Sequence, residues 1–286
     1  METIRKRLFD KLSDETLREK ANEIRRQVVE VSVKNGAGHI APSLSCIDIL
    51  TALYYNVMTF SDAPEWDDRD RLVFSKSHGC YGHYAILQDI GYIDSKDWKE
   101  FYNGSFLAGC SEQSVKHGLE AGCGALGHGL PMAVGIAFGA KLQNKAYRTY
   151  CIMGDGEMQE GSNWEAIQFA VKHNLSNLTV IIDANGLQAM DFLENILTVK
   201  DRKDDLFKKM AVFGFQANVC DGHDPSDIIS SINAWVSKGT DLIAPQALIA
   251  NTIKGYGLTC MENVPKFHFR IPDADELKMG NCYDKR

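Results

Sequence analysis

The sequence predicts an α/β fold in which a parallel sheet carries helices on both faces. After residue 125, helical patterns alternate with short β-rich runs, and single helices between successive strands favour right-handed crossovers and parallel pairing. The hydrophobic content of 44% is enough for a well-filled core, and no repeat, low-complexity tract or Gly/Ser linker divides the chain. We therefore expect a single domain over residues 1–286 that begins with a helical segment.

The amino-terminal part is predicted to be mostly helical. Apolar residues recur every three or four positions from Asp14 to Val33, behind Ser13 as a cap. Further helical patterns cover residues 44–57 and 79–90, and between them lie a charged loop and a strand-like run at 71–75. We expect one short strand in this part.

The carboxy-terminal part is predicted to supply most of the sheet. Its elements are expected in the order helix 127–142, strand 147–153, helix 163–173, strand 178–183, helix 205–213, strand 215–220, helix 225–237 and strand 246–253. Ligands of such sheets bind in loops at the carboxyl ends of strands. The informative residues should therefore follow Met153, Asp183 and Ile253.

Composition excludes several classes of protein. A net charge of −7 without a cluster of Lys and Arg disfavours a nucleic-acid partner. The first residues, Met1 to Lys11, are charged and lack the apolar core of a secretory signal, and the apolar stretch Met132 to Ala140 is shorter than the roughly 20 residues of a membrane span. The eight cysteines contain no C-x-x-C pair, which favours free thiols. We expect a cytoplasmic protein without a membrane or nucleic-acid partner.

One glycine pattern suggests a nicotinamide dehydrogenase and has to be weighed. Residues 122–127 (GCGALG) fit G-x-G-x-x-G, but that fingerprint must follow a strand, and residues 114–121 contain no β-run. A flexible helix entry is one alternative. Another is a loop whose bare backbone approaches a flat ligand ring, as glycine permits.

The ends of two predicted strands carry candidate metal ligands. Asp155 follows the strand at 147–153, and Asn185 follows the next strand along the chain. Oxygen ligands of this kind suit Mg²⁺, which usually binds through one or two protein groups together with phosphate oxygens and water. Gly156 would allow a main-chain N–H to approach a diphosphate. The alternative is a pair of ordinary Asx turns.

This GDG…N arrangement resembles the thiamine diphosphate motif, and other segments resemble transketolases in the same order. The matching segments are Ala21–Arg25 with Gly36–His39, Asp70–Gly79, Gly118–Glu120 with Gly124–Gly129, and Thr252–Gly257 with Met261–Asn263 and His268. The resemblance covers almost the whole chain. It also accounts for the glycine pattern at 122–127.

The resemblance implies particular ligands for the cofactor and its metal ion. The magnesium ligands would be the side chains of Asp155 and Asn185 and the backbone carbonyl of Leu187, with Ca²⁺ or Mn²⁺ able to substitute. Positions that match cofactor contacts in transketolases are His78, Gly124, Leu126, Asp155, Gly156, Asn185, Leu187 and His268.

The resemblance also implies catalytic roles. His39, His78 and His268 would line the channel above the thiazolium, where they assist proton transfers or hold the diphosphate and the sugar hydroxyls. Imidazole suits such transfers because it titrates near neutral pH. Glu160 matches a glutamate at the subunit boundary that links to the partner's activating carboxylate.

Full-length transketolases continue well beyond Arg286, and some bacterial and archaeal ones are split at about this place. The resemblance therefore implies an amino-terminal subunit that needs a separate carboxy-terminal transketolase subunit, in an α2β2 heterotetramer. Together they would transfer a two-carbon ketol unit from a ketose, as a phosphate or a modified sugar, to an aldose.

Three departures from the family pattern lie near the expected sugar channel. Cys110 replaces a family histidine, Ile40-Ala41 follows His39 where Pro-Gly is usual, and Phe269 follows His268 where glycine is usual. We therefore expect a specialised donor or acceptor.

Two other interpretations stay open. One is the α-subunit of a 2-oxo acid or acetoin dehydrogenase, which shares GDG…N but lacks the segments around His39, His78 and His268. The other is a non-catalytic homologue that binds the cofactor.

Overall fold

A five-stranded parallel sheet forms the centre of the computed structural model, which describes residues 10–197 and 202–279. The strands are β1 (Arg71–Phe74), β2 (Thr149–Gly154), β3 (Leu178–Ala184), β4 (Gln216–Asp221) and β5 (Gln246–Asn251). They lie in the order β1-β2-β3-β5-β4, and every pair is parallel. The predicted parallel sheet is confirmed, and the strand-like run at 71–75 is one of its edges.

Helices connect the strands in the predicted order. They are α1 (Asp14–Asn35), α2 (Ile40–Leu44), α3 (Ile47–Ala52), α4 (Cys80–Asp89), α5 (Ser95–Lys99), α6 (Gly129–Leu142), α7 (Gly161–Lys172), α8 (Leu193–Ile196), α9 (Arg202–Val212), α10 (Pro225–Val236) and α11 (Ala274–Met279). Short 3₁₀ turns lie at Ser77–Gly79, Val115–His117, Gly156–Gln159, Gly239–Asp241 and Pro265–His268. The side chain of Ser13 accepts the Thr16 N–H at 3.2 Å, so this residue caps α1 as predicted.

The sheet separates two hydrophobic cores because successive side chains of a strand point to opposite faces. In β2, Tyr150 and Ile152 pack into one core, and Cys151 and Met153 pack into the other. Helices α1, α3, α4 and α10 contribute to the first core, and α6, α7 and α9 contribute to the second. The predicted helices on both faces are therefore present.

The helical pattern predicted at 44–57 begins earlier and is broken. It starts at Ile40 and comprises α2, α3 and a π-helical turn at Leu53–Val57. Residues 40–57 are long and apolar enough to cross a membrane, but 94% of this window is buried inside the fold. Packing against α1, α4 and α10 accounts for its composition.

Two further expectations concern cysteines and the glycine pattern. The seven cysteines within the described residues are free, as expected, while Cys282 and residues 1–9 lie outside the described ranges. The pattern at 122–127 follows a 3₁₀ turn and isolated bridges rather than a strand, so the dinucleotide-binding interpretation is wrong.

Helix α6 begins in tight contact with β1. A Cβ built on Gly129 would lie 2.4 Å from Ser75 Oγ, whereas a Cβ on Gly135 in the same helix meets nothing within 4 Å. Gly129 therefore permits the close approach of helix and strand end, and Gly135 does not serve such a contact.

Alanine substitution should separate these two glycines. We expect Gly129→Ala to lower the free energy of unfolding by about 1–3 kcal/mol through overpacking. Gly135→Ala should leave it unchanged or raise it by up to about 1 kcal/mol through helix propensity. Urea denaturation of the purified chain measures both, and equal effects would show that the contact at Ser75 does not constrain the fold.

Candidate active site

The predicted metal ligands follow neighbouring strands. Gly154 at the end of β2 pairs with Asp183 in β3, so Asp155 and Asn185 leave the same edge of the sheet. Asp155 Oδ2 accepts the Gly186 N–H at 2.6 Å, which ties the two strand ends together. Both side chains are buried and line one pocket. The structure thus brings together the pair that the sequence placed there.

A buried carboxylate lies beneath this pocket. Asp183 accepts hydrogen bonds from Ser45 Oγ at 2.6 Å, from the Lys76 ammonium and from the Thr252 hydroxyl. The Lys76 ammonium also donates to the Pro42 carbonyl at 2.9 Å. Burial alone would raise the pKa of Asp183, but Lys76 and the hydroxyl donors hold that pKa below its usual value. Asp183 is therefore a fixed negative charge with several partners.

The amide of Asn185 is oriented by this carboxylate. Its Nδ2 donates to Asp183 Oδ2 at 3.2 Å, and its Oδ1 accepts the Leu187 N–H at 3.0 Å. The backbone carbonyl of Leu187 also faces the pocket, 3.5 Å from the Lys254 ammonium. Amide and carbonyl oxygens are therefore available beside the Asp155 carboxylate, and this donor set suits a hard divalent cation.

Two buried lysines lie on the pocket, together with the carboxyl groups of Asp155 and Glu157. The Lys254 ammonium lies 2.7 Å from His268 Nδ1, and Lys76 is on the same pocket. Burial and repulsion from Lys76 lower the pKa of Lys254 to about 8. An anionic group bound here would relieve that repulsion. The residues present therefore fit a diphosphate held through a metal ion.

Three imidazoles form a cluster above this pocket. The ring centroid of His39 lies 4.8 Å from that of His78 and 5.5 Å from that of His268. Burial, with repulsion from neighbouring cationic groups, lowers the pKa of His39 to about 4 and that of His268 to about 3, and it lowers the pKa of His78. All three rings are therefore uncharged at neutral pH and can form hydrogen bonds with a ligand.

Phe269, which follows His268 where glycine is usual in the family, borders this cluster. The Phe269 ring centroid lies 4.6 Å from that of His39, and the side chain is 57% exposed. A Cβ built on Gly38 would lie 2.0 Å from the Phe269 carbonyl oxygen, so only glycine fits there. Phe269 therefore presents an open aromatic face next to the imidazoles. Cys110 is partly exposed, and its carbonyl accepts the Tyr84 hydroxyl at 3.1 Å.

Of the four remaining predicted residues, two line this pocket and two lie outside its lining. Leu126, which is 37% exposed, and Gly156 line it. Gly124 lies in the loop before α6, where a Cβ would meet nothing within 4 Å, so its backbone is open. Glu160 is exposed at the start of α7, and its Cβ lies 2.6 Å from a Cβ built on Gly127.

Sequence reasoning assigned no role to four charged residues that shape the site: Lys76, Glu157, Asp183 and Lys254. Buried Glu157 accepts the Ser75 hydroxyl at 2.6 Å, the Gly127 N–H at 2.9 Å and the Gly154 N–H at 3.3 Å. It thereby joins the glycine loop to the end of β2. A signal was present, because Lys76 and Lys254 lie within matched segments and Glu157 lies within the GDG segment.

The chain is similar to known proteins in both sequence and structure. Residues 16–280 match the family model described as "Transketolase, thiamine diphosphate binding domain". The chain is 38% identical over 274 residues to one component of the apulose-4-phosphate transketolase of Actinobacillus succinogenes, covering 94% of this chain and 96% of that protein. It is 33% identical to 6-deoxy-6-sulfo-D-fructose transketolase subunit SqwG of a Clostridium species, covering 86% and 88%.

Solved structures of longer transketolases superpose on this chain. The enzyme from Leishmania mexicana does so with a TM-score of 0.83 at 26% identity, over 97% of this chain and 42% of that one. The enzyme from Campylobacter jejuni gives a TM-score of 0.83 at 28% identity, over 94% and 42%. The chain thus spans about two fifths of these structures.

Proposed function

The chain belongs to the transketolase family, whose thiamine diphosphate-binding domain it carries, and we propose that it is one subunit of a two-component transketolase. The observation that carries its role in cofactor binding is the convergence of Asp155, Asn185 and Leu187 on one pocket lined by Lys76 and Lys254. The interpretation as a 2-oxo acid or acetoin dehydrogenase subunit is not supported, because the relatives described above are transketolases.

We propose that the pocket holds Mg²⁺ and the diphosphate of the cofactor. The Asp155 carboxylate, the Asn185 amide oxygen and the Leu187 carbonyl would bind the ion, and Ca²⁺ or Mn²⁺ could replace it because these ions also accept oxygen ligands. Lys254 and the Gly156 backbone would face the diphosphate. In support, the Asn185 amide nitrogen donates to Asp183, so the amide oxygen is directed away from that carboxylate.

The three clustered histidines would transfer protons to and from the sugar substrate. When bound, thiamine diphosphate supplies the chemistry that breaks and forms carbon–carbon bonds next to a ketose carbonyl. His39, His78 and His268 would hold substrate hydroxyls at their ring nitrogens and move protons to and from them. Their lowered pKa values leave the rings uncharged at neutral pH, which supports the binding of substrate hydroxyls at these positions.

A second polypeptide would complete the active site. Relatives of nearly the same length are named as single subunits of transketolases, which supports this, as does the 42% share of the longer transketolases that the chain covers. The exposed Glu160 would lie at the boundary with the partner, where it would link to the carboxylate that activates the cofactor. We propose two copies of each subunit, so that active sites lie between chains.

We further propose a modified or branched ketose phosphate as the donor, with apulose 4-phosphate as the first candidate. Two relatives at 38% and 37% identity are named for this sugar. The open Phe269 ring beside His39 supports a channel shaped differently from one with glycine at this position.

Cofactor binding and turnover test the proposed function. With Mg²⁺ and the carboxy-terminal subunit, we expect saturable binding of thiamine diphosphate and ketol transfer from apulose 4-phosphate to an aldose. The chain alone should show no turnover. Asp155→Ala should weaken cofactor binding at least about 100-fold, since even outer-shell partners of a metal typically contribute 10–100-fold.

Asp67→Ala is the matched control, because Asp67 is an exposed carboxylate paired with Lys145. It should leave binding unchanged. Undiminished binding by Asp155→Ala would contradict the proposed metal site. Binding without turnover in the reconstituted complex would instead favour the non-catalytic homologue.

Substitution of Phe269 tests the proposed specificity. Phe269→Gly should raise kcat/KM for xylulose 5-phosphate by about tenfold and lower it for apulose 4-phosphate, because the ring restricts the space beside His39. The affinity for thiamine diphosphate should not change, which makes it the internal control. An unaltered ratio of the two donors in the reconstituted enzyme would show that Phe269 does not select the sugar.

A further inference from the structure

A buried histidine outside the pocket is bonded to the segment that carries Lys254. His223 lies in the turn between β4 and α10, and its side chain is 8% exposed. Its Nε2 accepts the Ile253 N–H at 2.9 Å, and its Nδ1 lies 2.7 Å from Asp48 Oδ2. Because Nε2 accepts a hydrogen bond, the ring proton is on Nδ1 and is donated to Asp48.

Asp48 is the hydrogen-bond partner that holds this imidazole in place. It lies in α3, is buried and also pairs with the Arg25 guanidinium of α1. Burial alone would raise the pKa of Asp48, but Arg25 and the His223 hydrogen bond hold that pKa below its usual value. The carboxylate is therefore ionised, and it fixes both the orientation and the tautomer of His223.

The turn that carries His223 packs directly on the segment after β5. The His223 ring stacks on Tyr256 with centroids 3.6 Å apart and an interplanar angle of 19°. A Cβ built on Gly222 would lie 2.4 Å from Thr252 Cγ2, and the Gly222 N–H donates to the Asn251 carbonyl at 2.8 Å. The two segments thus have no room to shift independently.

The segment held in this way supplies two groups to the pocket. Thr252 donates its hydroxyl to Asp183, and the Lys254 ammonium lies beside the Leu187 carbonyl and His268 Nδ1. Ile253 stands between these two residues. The bond from its N–H to His223 therefore fixes the Thr252–Ile253 peptide plane, which lies one residue before Lys254.

We propose that His223 is a positioning residue for the cofactor pocket, which holds the Thr252–Ile253 peptide and so places Lys254 against the diphosphate. The inference rests on the proposed function, because it requires that the pocket binds thiamine diphosphate. It adds a residue that never touches the cofactor and acts through a single backbone hydrogen bond.

Two amide substitutions distinguish the two ring nitrogens. In His223→Asn the amide lies near the position of Nδ1 and can still bond to Asp48, but it cannot reach the Ile253 N–H. In His223→Gln the amide oxygen reaches the position of Nε2 and can accept that N–H. Both variants remove the aromatic stack on Tyr256. They differ in which ring hydrogen bond is kept, because His223→Asn keeps the bond to Asp48 and His223→Gln keeps the bond to Ile253.

The measurement is the Kd for thiamine diphosphate in the Mg²⁺-containing complex of both subunits, together with the Tm of the cofactor-free complex. We expect His223→Asn to weaken binding about tenfold, as outer-shell partners commonly do. His223→Gln should restore the affinity to within about threefold of the unsubstituted protein. The two variants should show similar Tm values without cofactor.

Equal losses of affinity in the two variants would overturn the proposal, as would unchanged affinity in His223→Asn. A loss of affinity that follows the loss of Tm in both variants would also overturn it, because His223 would then only support the fold. Failure of the unsubstituted complex to bind thiamine diphosphate is a distinct result, which would reject the proposed function and this inference with it.

Discussion

The parallel register that pairs Gly154 of β2 with Asp183 of β3 is the constraint on which the site depends. A slip of one residue would exchange the side chains that face the two hydrophobic cores. In β3, Val180 and Ile182 pack on one side while Ile181 packs on the other, so such a slip is strongly opposed. The register therefore fixes where Asp155 and Asn185 emerge.

The buried charges of Lys76 and Asp183 compensate each other at this strand edge. Asp183 and Lys76 are both buried, and each would be costly to bury without its partner. Their pairing leaves Lys254 as a cation whose pKa is lowered to about 8 by burial and by Lys76. Such an arrangement favours an anionic ligand. The Thr252 hydroxyl donates to Asp183, so it connects the pair of Lys76 and Asp183 to the segment that His223 holds.

Much of this architecture was predictable from the sequence, for identifiable physical reasons. Short β-rich runs separated by helical patterns defined the strands, and strand ends followed by Asp155 and Asn185 indicated the pocket proposed to hold the metal ion. Proximity followed because neighbouring strands of a parallel sheet end at the same edge. The cluster of His39, His78 and His268 came only from resemblance, since no spacing rule connects such distant positions.

Other features depend on contacts that no local pattern encodes. The pair between Lys76 and Asp183 joins residues 107 positions apart. The insertion of β5 between β3 and β4, and the π-helical turn at Leu53–Val57, result from packing rather than periodicity. His223 looked like an ordinary histidine because its role depends on a backbone N–H from another segment.

The most direct test of the central claim is a crystal structure of the complex with thiamine diphosphate and Mn²⁺, in which anomalous scattering locates the ion. The account predicts one ion bound by the Asp155 carboxylate, the Asn185 amide oxygen and the Leu187 carbonyl, with remaining ligands from the diphosphate and water. An ion bound elsewhere, or Asp155 and Asn185 directed away from a shared ion, would contradict it.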